Sequence, residues 1–186
     1  MDRRDEIYEK ALELFVQGGY DHTPMSTISK ALNLSKAGLY HYCTTKEELL
    51  FLIHENYLEK NFIPIIEKAE GISDPEKRIA TFLKDYSRLI ARNAAARVLI
   101  HEVGRLKAEH YQKIRIIWRR AFNLIRDTLS SMAASGKSKK VNCTIAAFAA
   151  IGMCSWTFYW FDYSRKKPTE ELEETYVEIF LKGILR

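Results

Sequence analysis

The chain has 186 residues, enough for one large domain or two small ones, and its 47% hydrophobic and 28% charged content is ordinary for a soluble globular protein. Eight glycines and four prolines are about half the share expected from average usage, which excludes collagen-like and low-complexity folds and points to an all-α chain. The net charge of +5 allows only a local basic site, and Cys43, Cys143 and Cys154, odd in number and without C-x-x-C spacing, exclude a disulfide framework or a structural zinc site.

A first helix is expected over residues 4–17, where Ile7, Ala11, Leu14 and Phe15 share one apolar face, and Gly18-Gly19 ends it. Thr23 reads as an N-cap with Pro24 at the first helical position, opening a short helix over 24–32 that buries Met25, Ile28, Ala31 and Leu32. Asn33 suits a left-handed turn, Leu34 an apolar plug and Ser35 a second N-cap, ahead of a third helix over 36–42. A long helix begins at Lys46 and continues past Tyr57, with a kink expected at Pro64. Gly71 and the Ser73-Asp74-Pro75 cap close the front part. Apolar-periodic segments follow at about 75–93, 96–107, 109–134, 141–163 and 170–185, with breaks at Asn93, Ser135-Gly136 and Lys166-Lys167-Pro168. Thr169 is expected to cap the last helix, with Glu170, Glu171, Glu173 and Glu174 at its positive end. Residues 141–161 carry no formal charge, a run long enough to span a membrane. Its Asn142, Thr144, Ser155 and Thr157 favour instead a helix buried on several sides between subunits, with no membrane involved.

Two short helices around a tight turn near the N-terminus form a helix-turn-helix pattern. Charge supports a nucleic-acid role. Residues 22–46 contain Lys30, Lys36 and Lys46 but no Asp or Glu, whereas residues 1–60 as a whole hold 7 basic against 10 acidic side chains. Acid is kept off this one surface, as a phosphate backbone requires. Helix N-termini at Thr23 and Ser35 offer free N–H groups to phosphate, Ala37 and Gly38 are small enough for close groove approach, and Tyr40, His41 and Tyr42 offer polar tips. The same periodicity also fits a plain antiparallel helix corner with Leu39 and the tyrosines as core.

The run from Thr23-Pro24-Met25 through Asn33-Leu34-Ser35-Lys36-Ala37-Gly38-Leu39-Tyr40-His41-Tyr42 to Lys46-Glu47-Glu48-Leu49 resembles the N-terminal domain of the TetR family of transcriptional regulators, over residues 4–60 or roughly a third of the chain. The resemblance implies a three-helix helix-turn-helix DNA-binding domain over residues 1–60. It also implies a helical ligand-binding and dimerisation domain over 61–186, about nine helices in all. It carries phosphate contacts to Thr23, Lys36, Tyr40, Tyr42 and Lys46, and base reading to Ala37, Gly38 and His41. The implied protein is a cytoplasmic homodimer that represses at a palindromic double-stranded operator and is released by a small-molecule effector. A constitutive DNA-binding protein without effector and a helical protein-interaction module remain alternatives. Three positions depart from the family pattern: Cys43 where phenylalanine is usual, Asn33 where glycine is usual, and Thr27 where an acid is frequent. Cys43 reads either as a thiol switch, its pKa lowered by Lys36 and Lys46, or as a small buried hydrophobe.

In the second half, Trp156, Phe158, Tyr159, Trp160, Phe161 and Tyr163 are aromatic positions that surround one helix, fitting a dimer interface, a pocket wall, or both. The last helix places Tyr176, Ile179, Phe180, Gly183 and Ile184 on one stripe and fits the same bundle. Residues 84–120 hold ten Lys or Arg against Asp85, Glu102 and Glu109, either a solvated face or a site for an anionic effector with an apolar tail. A fatty acyl-CoA or fatty acid is the natural candidate, with Arg88, Trp118, Arg119, Phe122, Trp156, Tyr159 and Trp160 as ligand-binding residues. His54, His101 and His110 fall on separate segments without nucleophile, metal or phosphate-loop motifs, so neither catalytic residues nor a cofactor or metal is expected.

Overall fold

The computed structural model of the protein describes residues 2–160 and 169–185. Its helices are α1 (Arg3–Gly18), α2 (Met25–Ala31), α3 (Lys36–Tyr40), α4 (Lys46–Tyr57), α5 (Ile63–Glu70), α6 (Pro75–Arg92), α7 (Ala94–Glu102), α8 (Ala108–Ala134), α9 (Cys143–Trp160) and α10 (Thr169–Ile184). A π-helical turn, Leu58–Phe62, precedes α5, and a 3-10 turn, Val103–Arg105, follows α7. Among the described residues the one extended pairing is an isolated bridge between Ser138 and Leu185, so the all-α expectation holds. By internal contacts the chain forms two compact units, Met1–Lys60 with Ala94–Arg115 and Asn61–Asn93 with Ile116–Arg186.

In the first unit, Gly19 closes α1 at φ 79, a backbone that only glycine adopts cheaply. Thr23 does not cap α2 as expected. Its hydroxyl turns back and donates to the carbonyls of Gly19 at 2.8 Å and Leu14 at 3.4 Å, and Pro24 takes the capping position. Asn33 makes the left-handed turn, φ 53, and Arg3 donates to the Leu32 carbonyl at 3.0 Å, tying α1 to the exposed end of α2. Ile7, Ala11, Ile28, Leu39, Leu49 and Leu50 form the solvent-free centre of this bundle. Thr45 and Glu48 form a variant of the capping box on α4: the Thr45 hydroxyl accepts from the Glu48 amide at 3.0 Å while the Glu48 carboxylate reaches past the capping residue to the Thr44 amide. Pro64 has no N–H for the carbonyl four residues earlier, and the widened turn just ahead of it absorbs the mismatch.

In the second unit α6 packs against α5, α9 and α10. Phe62 lies 5.1 Å from Tyr86 and 4.7 Å from Trp118, ring to ring, with Phe82 alongside. Buried hydroxyls satisfy one another, Tyr86 with Ser155 at 2.7 Å and Thr157 with Tyr176 at 2.9 Å. Glu173, buried on α10, is gripped by both arms of Arg88 on α6, and Arg92 holds the Thr169 hydroxyl at the start of α10. On α9, Ala147, Ala150, Cys154, Thr157 and Phe158 face inward, while Ile145, Phe148, Trp156, Tyr159 and Trp160 are exposed. The expected aromatic positions Phe161 and Tyr163, and the break at Lys166-Lys167-Pro168, lie outside the described residues. α9 is long and apolar enough to cross a membrane by length and composition. The stripe expected on α10 divides: Tyr176, Phe180 and Ile184 face the core, whereas Ile179 and Gly183 are exposed.

His54, on α4, is 1% exposed, and its Nδ1 has no hydrogen-bond partner among the described residues. Burial pulls its pKa down to about 4. The unfolded chain takes up this proton near pH 6.5, so stability is full above that pH and is lost as pH falls toward 4. Urea unfolding at stepped pH should lose about 2 kcal/mol between pH 6.5 and 5. His54→Phe should flatten that slope; an unchanged slope would assign it to other groups.

Candidate nucleic-acid interface

The α2–turn–α3 corner is built from short-range bonds. The Leu34 amide donates to Ser29 O at 2.8 Å, and the Ser35 hydroxyl accepts from the Gly38 amide at 3.0 Å, starting α3. A Cβ at Gly38 would lie 3.3 Å from that hydroxyl oxygen and 3.7 Å from Leu34, so the glycine protects the cap. α3 stops at Tyr40, two residues short of the expected end. His41 and Tyr42 form its closing turn, their amides bonding Ala37 O and Leu39 O at 3.1 and 3.0 Å. Leu39 and Cys43 anchor the underside; Lys36, Ala37, Tyr40 and His41 are exposed, and Gly38 and Tyr42 are half-buried. The Lys36 ammonium lies 5.9 Å from the Tyr40 ring centre, and the His41 and Tyr42 rings meet edge-on at 5.5 Å.

The two acids that follow the basic stretch are both occupied. Glu48 accepts from the Thr44 amide and hydroxyl, each at 2.6 Å, which holds its carboxyl below the usual range. Glu47 turns to residues from the middle of the chain that belong to the same unit. Its Oε1 accepts from the Lys107 amide and meets His110 Nδ1, both at 2.8 Å. The His110 ring stacks on Phe51 at 4.1 Å, and the Lys113 ammonium lies 5.1 Å from the same Phe51 ring. Arg105 pairs with Asp21 at 2.6 Å and lies 5.4 Å from the Tyr20 ring, which also carries the Lys46 ammonium at 4.2 Å. These partners are far apart in sequence, and no local pattern announced them.

Lys46 is therefore not a loose cation. Its ammonium donates to the carbonyls of Tyr20 and Asp21, and burial lowers its pKa. The Thr23 hydroxyl is likewise spent within the fold, on a residue only 4% exposed. Burial, reinforced by Glu48, pushes the Cys43 thiol up to about 11, which decides against the thiol switch and for the small buried hydrophobe. The residue is a small core plug.

The seven effector-binding candidates occupy different settings. Arg88 is tied to Asp85 and Glu173, Trp118 belongs to the Phe62–Tyr86 cluster, and Phe122 stacks on Phe148 at 4.6 Å. Trp156, Tyr159 and Trp160 lie on the exposed side of α9, and Arg119 lines a groove between α5, α6 and α8. Arg119 is the one candidate among the residues that line this groove; Arg78, Ile116 and Asn123, also in its wall, are singled out by no local pattern. Among the described residues, no three His, Cys, Asp or Glu side chains are grouped to hold a metal ion.

Residues 7–53 match the family of bacterial regulatory proteins, tetR family, and residues 73–184 match the tetracyclin repressor-like C-terminal domain. The chain belongs to the TetR family. It is a DNA-binding transcriptional regulator with a helix-turn-helix at its N-terminal end. Among relatives, the HTH-type transcriptional regulator HbdR of Aromatoleum sp. (strain CIB) is 24% identical over 93% of this chain and 77% of its own length. The fatty acid metabolism regulator protein of Bacillus subtilis (strain 168) is 24% identical over 96% of this chain and 94% of its own. A crystal structure of AibR in complex with isovaleryl coenzyme A and operator DNA superposes with a TM-score of 0.88 at 26% identity, covering 96% of this chain and 97% of that one.

The cysteines give a direct check on the underside of α3. Cys43 and Cys154 are buried, with thiols pushed up to about 11 and about 12, while Cys143 is half-buried. Alkylation at pH 8 followed by peptide mapping should label Cys143 alone in the native protein and all three in denaturant. Rapid native labelling of Cys43 would show a reactive thiolate instead of a plug.

Proposed function

We propose that this TetR-family regulator is a cytoplasmic, non-enzymatic homodimeric repressor, released from a palindromic operator by a small-molecule effector of the acyl-CoA class. The observation that carries the DNA reading is the exposed, acid-free face of α3, with Lys36, Tyr40 and His41 outward and both following acids turned away. Each subunit places α3 in the major groove, with half-sites about one helical turn apart, ~34–36 Å. Lys36, Tyr40 and Tyr42 hold phosphates; Ala37, Gly38 and His41 face base edges. Thr23 and Lys46 hold the backbone of the 18–25 turn in place and meet phosphate through that surface.

For the division of labour, residues 1–60 read DNA and residues 61–186 carry effector binding and dimerisation, with Ala94–Arg115 the part of the latter that packs in the same unit as the reading head. The effector class is supported by the AibR complex with isovaleryl coenzyme A and by the fatty acid metabolism regulator of B. subtilis. The dimer surface is the exposed side of α9, where Ile145, Phe148, Trp156 and Tyr159 would otherwise remain wet. Coupling runs through Glu47, because the helix α8 whose start it holds extends onward to Ala134.

Selection from a random duplex library should yield a palindrome bound with a steep negative salt dependence. Lys36→Ala should weaken every sequence and reduce the salt slope by about 1, whereas His41→Ala should remove about 1–3 kcal/mol of discrimination at one base pair per half-site. Equal losses on all sequences for His41→Ala would place it among the phosphate contacts, and binding without salt dependence would refute the interface.

Release is tested separately, with acyl-CoAs from isovaleryl to long-chain titrated into the operator complex. At least one should dissociate it, and Glu47→Gln should keep operator affinity within a few-fold while blunting release. Full release from the Glu47→Gln protein would remove Glu47 from the coupling route.

A further inference from the structure

The groove between α5, α6 and α8 has a volume of about 490 Å³, within the size range of small-molecule sites. Its wall carries three arginines, Arg78, Arg119 and Arg120, against two carboxylates, Glu70 and Asp127. Both carboxylates are already engaged. Arg120 grips Glu70 through Nε at 2.9 Å and Nη2 at 2.6 Å, and Asp127 accepts from Arg126, outside the groove, at 2.8 Å.

That leaves two guanidinium groups with donors to spare. Arg78 is held in place: its Nε donates to Ile72 O at 2.8 Å and its Nη1 to the Thr128 hydroxyl at 3.4 Å, which in turn donates to Leu124 O at 2.7 Å. These bonds fix the guanidinium plane and leave Nη2 unspent, so little ordering remains to be done when a ligand arrives. Arg119 is exposed, and among the described residues no ion pair or hydrogen bond engages it. The amide of Asn123 lines the same wall. A planar, fixed guanidinium beside a free one suits a group with several oxygens and more than one negative charge, which is a phosphate. The groove is larger than a phosphate needs, and Ile116, 67% exposed, with Leu124 gives it an apolar side.

We propose that this groove binds the phosphate end of an organic phosphate, with Arg119 and Arg78 as its anion ligands and Ile116 and Leu124 against the carrier. In its regulatory meaning the inference rests on the effector reading above, since it locates the anionic head of that effector. Binding itself is independent of it.

Calorimetry on the full-length protein, with coenzyme A, isovaleryl coenzyme A and inorganic phosphate as probes, is read beside operator release. Coenzyme A and its acyl form should bind the wild type, and Arg119→Gln should weaken both by about tenfold or more, with Arg119→Lys recovering part of the loss. Lys140→Gln, an exposed cation outside the groove, should bind both normally, and melting curves of all variants check their folding. If isovaleryl coenzyme A releases the operator and binds wild type and Arg119→Gln alike, the groove is refuted and the effector reading stands. If coenzyme A binding depends on Arg119 but no acyl-CoA releases the operator, the groove stands and the effector reading falls. Arg119-dependent binding of inorganic phosphate alone would refute the organic ligand, and no binding by any probe would refute both.

Discussion

The Glu47 carboxylate is the contact that ties the reading head to the middle of the chain. It accepts the Lys107 amide at the start of α8 and meets His110, whose ring lies flat on Phe51. A carboxylate at a helix N-terminus is favoured by the unsatisfied amides and the positive end of the helix dipole. Here the same charge does two things. It anchors the start of α8 to α4, and it takes one of the two acids nearest α3 away from the outward face. Glu48, the other, is absorbed by the capping box at Thr44 and Thr45. The positive face of α3 is thus produced as much by where these two acids turn as by the lysines themselves.

Much of this unit was legible from the chain because its signals are local. Ser35 and the left-handed Asn33 act within four residues of themselves, and each does in the structure what its chemistry suggests, as Asp74 does at the start of α6 in the second unit. Local signals also misled. Thr23 followed by Pro24 has the form of a cap, yet the hydroxyl donates to the carbonyls of Leu14, near the end of α1, and of Gly19. Lys46 looks like a mobile charge, but the aromatic face of Tyr20 and two nearby carbonyls hold it. α3 ends at Tyr40 because its next amides tighten into a closing turn, a difference of two residues that propensity does not resolve. The contacts of residues 105–113 with the head were not legible at all, since they join positions some sixty or more apart and leave no periodicity.

The excess of cations over residues 84–120 illustrates the same limit. Read along the chain, it is a basic segment; read in space, several of its ten cations go to separate acids. Arg88 goes to Glu173 and Asp85, Arg92 to Glu170, Arg105 to Asp21 and Glu102, and Arg120 to Glu70. Most of these pairs are exposed and contribute little to stability. The exception is Arg88 with Glu173. That carboxylate is only 3% exposed, so losing its partner would strand a buried charge, and α10 would lose its firmest tie to α6. Once the pairs are assigned, Arg88 is a structural cation, while Arg119 retains its donors.

The apolar side of α9 poses the remaining constraint. Its inward face uses small residues, Ala147, Ala150 and Cys154, along most of its length, with Phe158 the one large side chain turned in, so the helix lies close against α6, while most of its bulk points out at Ile145, Phe148, Trp156 and Tyr159. A helix that buried its largest side chains inside the subunit would show the reverse pattern. Between these outward aromatics stand Ala149 and Gly152, exposed and without obstruction around the glycine, which leaves space for another helix to approach closely. Soluble chains seldom leave so contiguous an apolar stripe uncovered. In the dimer proposed above a second copy of the chain covers it: two such faces, each with bulky ends and a small centre, would interdigitate as the ridges and hollows of packed helices do. Such an interface has a direct consequence for operator recognition, because two reading helices joined by one symmetric contact match a palindrome only at the spacing that contact sets.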